Sequence, residues 1–161
     1  MISFKANRCA GFTLVELMVS VAIVGLLAML VIPSAELVIQ RNQEMELRRA
    51  LREIRQALDA FKQASDEGRI VAVSGGSGYP KNLRVLVQGV EDQRSPTREK
   101  IYFLRRIPRD PFADEQMEAE DTWGLRSYQS PPDNPRPGKD VFDVYSQSDS
   151  IGLNGRPYRE W

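Results

Sequence analysis

The chain has 161 residues with 22 Lys+Arg against 22 Asp+Glu, no histidine and a single cysteine, Cys9. Imidazole catalysis, His-ligated metal sites and an internal disulfide are therefore excluded, and the balanced charge gives no broad basic surface, so no nucleic-acid partner is expected. The length suits one small domain plus one long helix.

Residues 1–11 place Lys5 and Arg8 ahead of an apolar run. Positive charge on that side keeps the N-terminus cytoplasmic and sends everything after Ile32 outward. From Phe12 to Ile32 there are 21 residues, of which only Thr13, Glu16 and Ser20 carry polar side chains. At roughly 1.5 Å per residue a helix of that length spans about 30 Å, the thickness of a hydrocarbon core. Glu16 does not suit a plain anchor, because an unpaired carboxylate there costs several kcal/mol. A secretory signal cleaved near Pro33-Ser34-Ala35 has the same difficulty, and the run is long for a signal.

The hexapeptide Gly11-Phe12-Thr13-Leu14-Val15-Glu16, set before a long apolar helix, resembles the type IV prepilin signature. Type IV pilins and the pseudopilins of type II secretion systems share it. The resemblance implies cleavage after Gly11 by a prepilin peptidase and N-methylation of the new first residue, Phe12. The product would carry 20 Lys+Arg against 22 Asp+Glu, and Cys9 would leave with the leader. Many adhesive type IV pilins close a C-terminal loop with a disulfide; major, G-type pseudopilins generally do not.

Pro33 removes a backbone donor and crowds the carbonyl of Met29, so it either loosens the helix or marks where the chain leaves the membrane. Gly25 also weakens the run. From Ser34 to about Asp66, Leu47, Leu51, Ile54, Leu58 and Phe61 recur at steps of four and three, a stripe fit to cover a sheet. Arg48, Arg49, Arg52 and Arg55 lie on the other faces, either solvated or available to a neighbouring subunit. Glu44–Arg48 and Glu46–Arg49 read as surface pairs. Gly68 ends the helix.

Ser74-Gly75-Gly76-Ser77-Gly78 is a flexible loop without the Lys-Ser or Lys-Thr of a phosphate loop. Residues 80–90 predict a short helix or turn with Leu83, Leu86 and Val87 inward, and 91–99 a charged surface loop. Tyr102 to Phe112, with Pro108 and Pro111, predicts an extended connector in which Asp110 caps its own turn. It resembles the segment before the sheet in G-type pseudopilins. The acidic stretch 113–121 reads as a solvated insertion that departs from that family. Trp123–Gln129 and Val141–Tyr145 predict two strands, with Val141, Asp143 and Tyr145 on one face and Phe142 and Val144 on the other. Four prolines between Ser130 and Lys139 predict an irregular hairpin loop.

In G-type pseudopilins a Ser- and Asp-containing loop after the last long strand holds calcium, and Ser146 and Asp149 match it best. Calcium takes six to eight oxygens, and Asp149 is this loop's one clear acid. The competing reading is a loop held by Asx-type turns, with Tyr158 and Trp161 packed back on the sheet.

The expected fold is α+β: a leader (1–11), a transmembrane and assembly helix (12–33), and a periplasmic domain (34–161) with an amphipathic helix (34–67) packed on loops and a small antiparallel sheet (68–161). The resemblance implies a non-enzymatic subunit, single-pass in the inner membrane before it forms a homo-polymer, the pseudopilus. Its implied partners are minor pseudopilins, the prepilin peptidase and the inner-membrane assembly platform. Phe12, Glu16 and Pro33 are the expected assembly residues; Glu16 would take the positive amine of an adjacent Phe12. A DNA-uptake or adhesion pilin, and a membrane-anchored periplasmic enzyme, are the alternatives.

Overall fold

A computed structural model describes residues 12–71 and 76–161, with the side chains of 29–35 left out. The leader with Gly11, Ser74 and Gly75 of the glycine loop, and the Pro33 side chain thus lie outside the described residues. The chain divides into two compact units, Met1–Gln40 and Arg41–Trp161. One helix, α1 (Leu14–Asp66, 53 residues), supplies backbone to both, and its helical assignment continues through Pro33.

In the first unit every described side chain from Phe12 to Ala28 is exposed. In the second, the predicted stripe becomes the core: Leu47, Leu51, Ile54 and Leu58 are all at most 2 % accessible, and Ala50, Ala57 and Ala64 fill the same face. Each fully buried leucine or isoleucine stabilises the unit by about 1.5–3 kcal/mol. The helix stops as expected at Gly68. Its φ of 69° lets Arg69 N–H reach the Ala64 carbonyl (2.9 Å) and Gly68 N–H the Ser65 carbonyl (3.0 Å), a Schellman ending.

The predicted short helix is α2 (Arg84–Gln88), with Leu83 and Leu86 buried and Val87 half-buried. The charged stretch after it is more than a loop. Strands β1 (Val90–Glu91) and β2 (Lys100–Ile101) pair antiparallel, and Asp92 between them is buried against Arg69. Two-residue strands are too short for an alternation signal. The connector 102–112 has no helix or strand. Asp110 caps it by accepting from Phe112 N–H (2.8 Å), and Trp123 Nε1 donates to the Pro108 carbonyl (2.8 Å).

The second sheet pairs β3 (Trp123–Arg126) with β4 (Asp143–Ser146), in register Trp123↔Ser146 through Arg126↔Asp143. Both strands are shorter than predicted, and the two-face alternation fails at one place. Val141 and Val144, three residues apart, are both buried. Val141 lies before the strand and donates to the Pro80 carbonyl (2.8 Å), so the pleat begins only at Asp143. Gly124, opposite Tyr145, is fixed by crowding: a Cβ there would sit 2.3 Å from the Tyr145 ring. The architecture is α+β, a long N-terminal helix packed on small antiparallel sheets, in keeping with a pilin-like fold.

The tail ends in a 3-10 turn (Tyr158–Glu160). Tyr158 is fully buried, stacks on Phe112 (centroids 4.1 Å apart) and meets the edge of Trp161 (5.1 Å). One sequence pairing is overturned here. Glu44 does not bridge to Arg48 but turns inward, only 6 % accessible, to accept from Leu153 N–H (2.6 Å) and Tyr158 O–H (3.1 Å). Arg48 instead lies 4.3 Å over the Trp161 ring.

Candidate functional site

The N-terminal segment carries the strongest chemical signature. Leu14 is the first helical residue, so Thr13 is the N-cap and Glu16 the third residue in. Thr13 Oγ1 accepts from Glu16 N–H (3.2 Å), one half of a capping box. The Thr-x-x-Glu spacing is itself the sequence signal for this cap, alongside the charge of Glu16. Ser20 satisfies its hydroxyl locally, donating to the Glu16 carbonyl (2.7 Å). Phe12 is 81 % exposed and Leu14 72 %, and a Cβ on Gly25 would meet nothing within 4 Å. The segment thus presents apolar surface on all sides, with one carboxylate at its start. Among the described residues no helix is long and apolar enough to cross a membrane. Described side chains of the apolar run stop at Ala28, whereas the run continues in sequence to Ile32.

Ser146 and Asp149, the calcium candidates, sit differently from one another. Ser146 is fully buried, its Oγ accepting from Ser148 N–H (3.2 Å). The Asp149 side chain is 92 % exposed, with Arg159 at 3.7 Å. Among the described residues no three His, Cys, Asp or Glu side chains gather as a metal site would need. This donor set falls short of what calcium ordinarily takes. The loop is instead braced by short turns, including Asn154 Oδ1 accepting from Arg156 N–H (3.0 Å).

Several arginines gather on one face of the second unit. Arg48, Arg52, Arg55 and Arg156 line one cleft of about 380 Å³ with Glu160 and Trp161. Arg55 is partly committed, donating to Asp143 (2.7 Å) and to the Val144 carbonyl (3.1 Å). The titration shifts lie elsewhere. Asp92 is held below the usual carboxylate range, first by the Arg69 side chain and then by Arg94 N–H, and Arg69 is raised in return. Burial pushes the Tyr79 phenol up, and the charge of Asp59 adds to it.

Residues 6–32 match the family described as Prokaryotic N-terminal methylation motif. The match bears out prepilin-type processing of the N-terminus and points to a structural, pilin-type protein with a membrane-anchored N-terminal segment. It covers 27 residues and leaves the second unit untouched. Comparison with curated proteins and with solved structures finds no match.

Proposed function

We propose that the chain is a pseudopilin-like structural subunit of a type II secretion system, processed after Gly11 and polymerised through its N-terminal helix. The observation that carries this reading is the run of exposed apolar side chains from Phe12 onward, in a segment matching the methylation motif. A helix that is apolar all round has to be covered, by lipid before assembly and by other copies after it. Cleavage exposes a positive amine on Phe12, which N-methylation keeps charged. Once the helices leave lipid and pack together, Glu16 needs a cation in a low-dielectric setting. The Phe12 amine of an adjacent copy supplies it and fixes the axial register.

Thr13 caps the helix through the backbone N–H of Glu16, a bond that any residue at 16 keeps, so the carboxylate itself can be tested apart from the cap. Glu16→Gln keeps the shape and removes the charge. Loss of filaments in Glu16→Gln, with cleavage intact by N-terminal mass spectrometry, is the expected result. Wild-type filament yield from that variant would refute the pairing. A mature N-terminus near Ser34 would sink the filament reading altogether. The pseudopilus assignment itself is tested by export: deleting the gene should trap folded substrates in the periplasm. Loss of surface fibres with normal export would favour a type IV pilus instead. Calcium at Ser146 and Asp149 enters this reading only on a direct test: a calcium-dependent rise in melting temperature, abolished by Asp149→Ala, would place it there, and no rise would remove it.

A further inference from the structure

Two surfaces of opposite net charge on the second unit complement each other, although Glu160 shares the basic one and Arg55 there is already paired with Asp143. The first is the arginine cleft. Arg52 and Arg156 have no ion-pair partner among the described residues, and Arg48 has only the face of Trp161. Trp161, in the cleft wall, holds its Nε1 buried with no hydrogen-bond partner among the described residues. The second is the acidic insertion. Asp114, Glu115, Glu118 and Asp121 are exposed and likewise lack an ion-pair partner among the described residues.

The insertion is a built loop. Arg109 donates to the Asp114 carbonyl (2.6 Å) and to the Met117 carbonyl, Gln147 donates to the Asp121 carbonyl (2.9 Å), and Arg84 pairs with Glu120. Three turn bonds, Ala113 N–H to Asp110, Met117 N–H to Asp114 and Asp121 N–H to Glu118, fix its path. The loop backbone is therefore held in its own copy; Asp114 spends one oxygen on Gln116 N–H (3.0 Å), while Glu115, Glu118 and Asp121 project exposed carboxylates. Guanidinium groups bind carboxylates in fixed fork geometry, and a pre-ordered loop loses little entropy on docking.

We propose that the arginine cleft of one copy receives the acidic loop 113–121 of a second copy. Cleft and loop are different surfaces, so the contact is heterologous and can pass from copy to copy, as a filament requires. This rests on the polymer reading above and adds a second, outer contact to the helix-to-helix one. Single exposed ion pairs are weak. The contact works as a network of three arginines against several acids, repeated at every subunit, and is sensitive to salt.

The test uses the full-length chain co-expressed with a prepilin peptidase and an assembly platform. Cys9 is the chain's one cysteine, so once the leader is cleaved Arg52→Cys and Glu118→Cys are the only thiols. Subunits carrying one substitution each, mixed in one filament, should give oxidised dimers, and the double variant a ladder. Arg52→Glu and Glu118→Arg should each lower filament yield by about tenfold, roughly the loss of two or three such pairs, with recovery in the double reversal. Wild-type yields from both reversals, with no cross-linked dimer in well-formed filaments, would overturn the contact and leave the polymer reading standing. Failure of the wild-type chain to polymerise would overturn both. Retention of duplex DNA that Arg52→Glu abolishes, at unchanged filament yield, would assign the cleft to nucleic acid instead.

Discussion

Two stretches of α1 use the same aliphatic residues and meet opposite fates. Leu14, Leu17, Ile23 and Leu26 are each more than half exposed, whereas Leu47, Leu51, Ile54 and Leu58 are at most 2 % accessible. The difference lies in what separates them. In the second stretch Arg and Glu fill the intervening positions, leaving one apolar face that the chain's own sheets, connector and tail cover. In the first stretch the intervening residues are apolar too, and the described side chains from Phe12 to Ala28 all stay exposed. The chain folds on one stretch and offers the other to its surroundings.

Breaking that contrast gives a graded series. Tryptophan fluorescence reads the second unit alone, because both tryptophans, Trp123 and Trp161, belong to it. The largest effect is on assembly: Glu16→Ala should abolish filaments while leaving the urea midpoint of the detergent-extracted protein unchanged. Next comes the core. Ile54→Ala should destabilise the second unit by about 2–5 kcal/mol, whereas Ile23→Ala should shift the same transition by less than about 0.5 kcal/mol. A comparable shift from both would mean the two stretches are not distinct. Glu44→Ala should cost about 1–3 kcal/mol, because the buried Tyr158 hydroxyl and Leu153 amide lose their acceptor. Faster proteolysis of the tail checks it.

The smallest effect is pH-dependent. The Asp92 carboxyl is lowered when folded, so its pairing with Arg69 contributes fully above the ordinary carboxylate range. The contribution is lost as pH falls through the depressed folded value. Asp92→Asn should therefore flatten the acid limb of the stability profile and matter little at the most acidic end. An unchanged acid limb would remove Asp92 from the account.

The legible parts of this chain were those written in local patterns. The stripe from Leu47 to Leu58, the stop at Gly68, the turn at Asp110 and the signature ending at Glu16 depend on residues within a few positions of one another. What escaped was long-range. Glu44 stood four residues before Arg48 and read as its partner. Its real partners lie 109 and 114 positions away, and no spacing rule reaches that far. The β1–β2 pair escaped because two-residue strands carry no period. Val141 escaped because its N–H bonds to Pro80, outside the sheet that the alternation assumed.

The Glu44 contact also fastens the two ends of the second unit to each other. The carboxylate belongs to the opening turns of the second unit, and its donors lie in the closing residues, Leu153 and Tyr158. Leu153 N–H and Tyr158 O–H both end on this one carboxylate, so a cut or truncation anywhere in the closing residues removes donors from the helix more than a hundred positions away. One buried side chain thus binds the far end of the polypeptide to the helix that carries it.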